Sequence, residues 1–189
     1  MEKSDVAVSR GFAPVLGDGL QVLILGSLPS RKSLQVQQYF ANPQNAFWRI
    51  MAKIAGFDPG LSYEVRCRAL TDQGVGLWDV LASSVRAGSL DSAIDVATAK
   101  ANDFAALLAQ HKDIKLICFN GQKSRNLFDR MVVNTTPVVR NCELLTLPST
   151  SPAHAAMKFD EKLRRWSVIG SYLESSQHGT QYNQTGEFR

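Results

Sequence analysis

Two stretches of the chain crowd amides, hydroxyls and aromatic rings together. The first runs Gly26-Ser-Leu-Pro-Ser30, then Tyr39-Phe40-Ala-Asn-Pro-Gln-Asn45-Ala-Phe47-Trp48, and the second is Leu147-Pro-Ser-Thr-Ser-Pro-Ala-His154-Ala. Neither offers a strong nucleophile. They offer hydroxyls and backbone N–H groups that can hold a phosphate, carboxamides that donate and accept at once, and rings on which a flat molecule can stack. Asn120-Gly121 and Asp79 complete the set, and Asp79 is the one acidic residue among the loops singled out below.

Familiar catalytic spacings are missing. Gly121-Gln-Lys-Ser124 lacks the upstream glycine of a phosphate-binding loop, and Gly17-Asp-Gly19 precedes a strand instead of following one. His111, His154 and His178 are spaced for neither zinc motif, and no G-x-S-x-G elbow exists. Cys67, Cys118 and Cys142 form no C-x-x-C pair, so neither a disulfide framework nor a four-thiolate cluster follows. No metal and no cofactor is expected.

The elements that must position these residues read as α/β. Gln21-Val-Leu-Ile-Leu-Gly26 is continuously apolar and short, as a strand buried on both faces would be. Residues 114–119 read as a second such strand, preceded by a helix over 102–111 and followed by one over 123–131. Phe47, Trp48, Ile50, Met51, Ile54 and Ala55 recur at helical spacing and stop at Gly56, while residues 76–80 read as a short strand. Two more strands are predicted at 136–139 and 143–147, and a last helix over about 159–173. That helix places Leu163, Trp166, Ile169 and Leu173 on one face, with Lys158, Lys162, Arg164 and Arg165 on a solvated one.

Such a sheet gathers its ligands at the carboxyl ends of its strands. The loops concerned are 27–45, the turn near Asp79, Asn120-Gly121 and 148–154. A 27–45 connection is much longer than the roughly 2 to 6 residues usual between strand and helix, which marks it as functional.

Length and composition bound the rest. The 189 residues, 44% of them hydrophobic, suffice for one sizeable core. Residues 1–175 are expected to form a single domain and 176–189, rich in Gln, Asn, Gly, Ser and Thr, a disordered tail. Lysine and arginine exceed aspartate and glutamate by 21 to 17, a net charge of +4 that tolerates a polyanionic partner without proving one. Without an apolar leader or a window near the ~20 apolar residues of a membrane span, a soluble cytoplasmic protein is expected.

The two long stretches, together with Gly76-Leu-Trp-Asp-Val-Leu81 and Phe119-Asn-Gly121, resemble the uracil-DNA glycosylase superfamily, in its hypoxanthine-DNA (deoxyinosine) glycosylase branch. The resemblance spans about residues 20–175, in the same order. It implies a three-layer α/β/α sandwich around a mostly parallel sheet of four or five strands. Most of the superfamily carries Asp or Asn directly after the first strand and a histidine in the late motif, where this chain has Leu28 and Leu147. Those departures point to the hypoxanthine branch, in which the resemblance makes Asn45 and Asn120 the catalytic pair.

On that basis the expected activity is monofunctional hydrolysis of the N-glycosidic bond of deoxyinosine in double-stranded DNA, on a flipped-out base and by a monomer. Asn120 would pair with the lactam edge of hypoxanthine and Asn45 would hold the attacking water. Ser27, Leu28, Pro29, Tyr39 and Phe47 would line the base pocket, with Phe40 and Trp48 in the core. Ser30, Ser149, Thr150, Ser151 and His154 would hold the DNA backbone. Plainer roles stay open: Asn45 as cap of the Phe47 helix, Asn120 as a turn residue, Asp79 as a turn cap or a substitute water activator. So do rival activities: uracil or mismatched-thymine excision, damaged-DNA binding without catalysis, and hydrolysis of free nucleosides.

Overall fold

The computed structural model describes residues 8–173. Its centre is a four-stranded parallel sheet. In chain order the elements are β1 (Val8–Arg10), β2 (Val22–Gly26), α1 (Arg31–Val36), α2 (Phe47–Ala55), α3 (Tyr63–Thr71), β3 (Val75–Asp79), β4 (Leu81–Val85), β5 (Lys100–Ala101), α4 (Phe104–Gln110), β6 (Leu116–Asn120), α5 (Gln122–Phe128), β7 (Glu143–Leu147), α6 (Phe159–Trp166) and α7 (Gly170–Leu173). The strands of the central sheet lie in the order β3-β2-β6-β7, and every neighbouring pair is parallel. Every residue of β2, β3 and β6 is buried, which is why these segments read as unbroken apolar runs.

Helices cover the sheet in two sets, one in which α2 packs against α3, α6 and α7 and the other in which α4 meets α5 through Phe104 and Phe128. Together they give the expected three-layer α/β/α architecture. Helix α2 buries Phe47, Trp48, Ile50, Met51, Ala52 and Ala55 and stops at Gly56, whose positive φ of 73° lets its N–H reach Ala52 O. Ser30, Ser62 and Asp103 cap α1, α3 and α4 through their side-chain oxygens.

The strand expected at 136–139 is instead a 3-10 turn over Pro137–Asn141. Pro137 has no N–H to give a ladder and sits at the first turn of that segment, where none is needed. The last helix is also not continuous: α6 gives way to a 3-10 turn at Ser167–Ile169 before α7. Trp166, Ile169 and Leu173 are buried as their spacing predicts, but Lys162 is buried too, at 5% exposure, not on the solvated face.

A second, antiparallel sheet, β1-β4-β5, was not foreseen. Beyond β3 the pairing carries on, with Val80 N donating to Gly26 O and Leu81 N to Ser27 O, so the chain passes directly into β4. That continuation carries residues 86–92 across the carboxyl ends of the parallel strands. The expected tail at 176–189 lies outside the described residues. Among those described, no helix is long and apolar enough to cross a membrane.

Candidate active site

Strand order places β3 and β6 on either side of β2, the arrangement in which a crevice opens at the carboxyl ends of an open parallel sheet. Gly26 is in register with Asp79, and Leu25 with Phe119, so Asp79, Gly26 and Asn120 end three adjacent strands at one level. Gly26 has no side chain for a physical reason, since a Cβ there would run into Asp79 Oδ1. The bare backbone of Gly26 thus forms a floor between two polar side chains. Above it is a cavity of about 380 Å³ walled by residues 27–30, Phe40, Asn45, 89–92, Ser149 and 151–154.

Asn120 is held by Thr150. Thr150 N donates to Asn120 Oδ1 at 2.8 Å, and Asn120 Nδ2 donates to Thr150 Oγ1 at 2.8 Å. A backbone N–H can only donate, so it fixes which end of the amide is oxygen. The remaining Nδ2–H belongs to a side chain that lines the cavity at 9% exposure. Two-point pairing of Asn120 with a base, as expected above, is therefore narrowed to one N–H and the second lone pair of Oδ1. Thr150 itself, at 1% exposure, is not a surface phosphate ligand but the clamp of this amide. Its carbonyl also accepts from Ala46 N at 3.0 Å, tying the Asn45 loop to the late loop.

Asn45 lines the cavity, and its Oδ1 accepts from Phe47 N at 3.0 Å. The cap position of α2 is Ala46, so Asn45 is not the helix cap but the head of an Asx turn, which orients its amide at the cavity wall.

The aromatic assignments change places. Phe47 is fully buried and does not line the cavity, because Phe40 stacks over it with ring centroids 3.9 Å apart. Phe40, expected in the core, faces the cavity from a left-handed backbone at φ 54°. Helical spacing put Phe47 on the core face of α2, whereas the unusual backbone of Phe40 has no sequence signature. Tyr39 touches the cavity but is only 3% exposed, and its hydroxyl donates to Ala13 O at 3.2 Å. It packs edge-on against Phe12, so it supports the wall and presents little ring surface for stacking. Trp48 is in the core as expected, with Nε1 donating to Tyr39 O at 2.9 Å.

Asp79 is not a turn cap. Its side chain is 3% exposed, and no donor reaches Oδ2. Burial pushes its carboxyl up to about 8, with the negative charge of Asp91 adding to the effect and Arg86 opposing it. Arg86 and Asp91 went unnoticed in the sequence, because residues 86–92 carry no periodicity or motif. Arg86 is 3% exposed and donates to the carbonyls of Leu28 (3.2 Å) and Pro29, holding the first loop from behind. Asp91 accepts from Ser27 Oγ at 3.0 Å; burial raises its carboxyl, while that hydrogen bond and Arg86 lower it.

The remaining expected contacts are also part of the cavity wall, with Ser27 and Leu28 buried. Ser27, Leu28, Pro29, Ser30, Ser149, Ser151 and His154 all line the cavity. Ser30 caps α1, accepting from Ser33 N at 3.2 Å. Ser149 and Ser151 turn the late loop by accepting from Ser151 N and Ala153 N, each at 3.2 Å. Gly121, at φ 101°, lets Ser149 close in, since a Cβ would meet it at 3.0 Å. Lys162 holds the loop from below, donating to His154 O at 2.9 Å and Ser151 O at 3.5 Å. On the opposite rim Leu90 is 57% exposed.

The family model of the uracil DNA glycosylase superfamily matches residues 14–169. A hypoxanthine DNA glycosylase of Methanosarcina acetivorans is 38% identical over 150 residues, 78% of this chain and 89% of the relative. A protein of the same name from Methanosarcina barkeri is 39% identical over 116 residues, 61% of this chain and 72% of the relative. The solution NMR structure of a Methanosarcina acetivorans protein described as a uracil DNA glycosylase superposes with a TM-score of 0.74 at 35% identity, covering 89% of this chain and 99% of that one. By fold and by sequence over most of its length, the chain belongs to the uracil DNA glycosylase superfamily.

Proposed function

We propose that the cavity hydrolyses the N-glycosidic bond of deoxyinosine in double-stranded DNA, releasing hypoxanthine and leaving an abasic site. Superfamily membership makes the chain a DNA glycosylase, and two relatives above are named for hypoxanthine. The observation that carries the preference over adenine is the Asn120–Thr150 clamp; uracil offers the same N–H beside a carbonyl, and the choice of hypoxanthine over it rests on the names of those relatives. A fixed amide N–H suits the O6 carbonyl of hypoxanthine, and it opposes the amino group adenine carries at the same position. Because the amide cannot turn over without leaving Thr150 N–H unpaired, the preference is built in.

A base reaches such a cavity by flipping out of the duplex. Phe40 offers the ring face nearest the cavity, and Ser30, Ser149, Ser151 and His154 lie where the flanking phosphates would pass. Leu90, the exposed leucine on the rim, is placed to fill the gap left in the stack. Asn45 holds the attacking water at the sugar carbon and works by position, since an uncharged amide is a poor base. The protein works as a monomer, and it works without lyase chemistry, since among the described residues no lysine lines the cavity to form a Schiff base.

Base release from matched duplexes carrying one inosine or one uracil, read as strand breakage after hot alkali, tests this reading. Breakage at inosine, lost in Asn45→Ala and Asn120→Ala with DNA binding retained, is the expected result. Breakage at uracil alone, or binding without breakage, would overturn it.

A further inference from the structure

We propose that Asp79 is the general acid of this reaction, entering as a neutral carboxylic acid and giving its proton to the departing purine. The inference rests on the deoxyinosine reading and adds the group that makes a purine leave.

The geometry is specific. Asp79 ends the strand beside Gly26, and Asn120 ends the strand on the other side, so two inter-strand spacings of roughly 4.8 Å separate their backbones. A base lying over Gly26 has the Asn120 amide at one flank and the Asp79 carboxyl at the other. Asp79 Oδ2 is buried and unpartnered, which costs an ionised carboxylate far more than a neutral carboxyl group, and Oδ1 is the oxygen that lies against Gly26, under the place a base would take. The cation beside it does not neutralise it by contact, because both terminal nitrogens of Arg86 go to the Leu28 and Pro29 carbonyls. On the other elements around it, Asp91 adds negative charge and the Tyr39 hydroxyl is committed to Ala13 O. Burial and Asp91 outweigh Arg86, and the carboxyl keeps its proton through neutral pH.

Two acids in one pocket with different environments is the usual mark of divided labour. Asp91 has a hydrogen bond from Ser27 and Asp79 has none, so Asp79 is the one poised to donate. The chemistry needs it. Asn45, the side chain given to the water, is an uncharged amide and a poor base, so a proton supplied on the side of the leaving group is what this cavity can add.

The step balances. The Asp79 proton moves to a lone-pair ring nitrogen of hypoxanthine as the C1′–N9 bond breaks with its electron pair going to N9, and neutral hypoxanthine departs. Water held by Asn45 bonds to C1′ and releases a proton that returns to the Asp79 carboxylate through the pocket water. The transient carboxylate lies beside Arg86. Net, one water and one deoxyinosine residue become hypoxanthine and an abasic site.

Single-turnover release of hypoxanthine from an inosine duplex by the full chain, measured from pH 5.5 to 10, tests this. The expected profile is level to near pH 8 and then falls about tenfold per pH unit. Asp79→Asn, which copies the neutral acid in size but cannot transfer a proton, is expected to lose about a hundredfold at pH 7 and to show a flat profile with DNA binding unchanged. Asp91→Asn should shift the falling limb to lower pH, because it removes a charge that raises Asp79, a change no merely structural role would produce. A wild-type profile level to pH 10, or Asp79→Asn within threefold of wild type, overturns the acid while leaving the deoxyinosine reading intact. No release at any pH overturns both.

Discussion

Asn120 and Thr150 bind each other twice, amide oxygen to backbone N–H and amide nitrogen to hydroxyl, each at 2.8 Å. The Thr150 carbonyl in turn receives Ala46 N, beside Asn45. One buried threonine thus fixes the two asparagines on which the chemistry depends, from elements more than seventy residues apart. Thr150→Ala keeps the backbone donor and removes the hydroxyl acceptor. One hydrogen bond is worth about 0.5–1.5 kcal/mol, so inosine excision should fall roughly two- to tenfold, while the retained backbone donor keeps discrimination against adenine. Paired single-turnover assays on inosine and adenine duplexes measure both.

Asp79 should make stability depend on pH in a stated direction. Its carboxyl titrates near 3.8 in the unfolded chain and about 8 in the folded one, so between these values the folded state holds a proton that the unfolded state has lost. Unfolding then releases a proton, and stability falls as pH rises through this window, levelling off above it. Asp79→Asn removes the penalty. Thermal melts should show the variant several degrees above wild type at pH 9 and level with it near pH 4, a difference on the order of a few kcal/mol at the alkaline end. Equal melting temperatures at both pH values would contradict the buried, proton-holding carboxyl.

Lys162 is predicted to matter through the loop it supports. Lys162→Met keeps the aliphatic stem and removes the donor to the His154 and Ser151 carbonyls. A charged hydrogen-bond donor of this kind is worth about 1.5–3 kcal/mol, so the melting temperature should drop by several degrees. Affinity for an abasic-site duplex should weaken as well, read by fluorescence anisotropy at fixed salt.

Leu90 makes a prediction about duplexes alone. If it fills the gap left by the flipped base, Leu90→Ala should slow excision from double-stranded DNA by about tenfold or more, in line with the few kcal/mol that unstacking a step costs. Excision from single strands, where no gap opens, should be unchanged. Equal loss on both substrates would assign Leu90 to the pocket wall instead.

The parallel sheet was legible because burial on both faces leaves an unmistakable apolar run, as at Val22–Gly26 and Leu116–Asn120. Helix α2 was legible for the same kind of reason: its apolar spacing ran unbroken to Gly56. Short antiparallel β4 and β5 were not, since Leu81–Val85 carries two serines and depends on partners seventy residues upstream. Within the site, the loops named from the strand ends do converge, and Asn45 and Asn120 share one cavity. What the sequence hid was environment. Asp79 looks like any turn aspartate until its burial is seen, and Thr150 looks like any loop threonine until Asn120 is placed against it. Arg86 and Asp91 act on the pocket from a loop whose path only the second sheet determines.

The most direct measurement is the release of free hypoxanthine from a duplex carrying a single inosine, followed by chromatography for wild type, Asn45→Ala and Asn120→Ala under single-turnover conditions. Stoichiometric hypoxanthine from wild type, with no strand nicking before alkali and a large loss in both variants that still bind the duplex, is the predicted result. Wild-type protein that binds the duplex and releases no hypoxanthine, or variants that release it as fast as wild type, would contradict the assignment of this pocket.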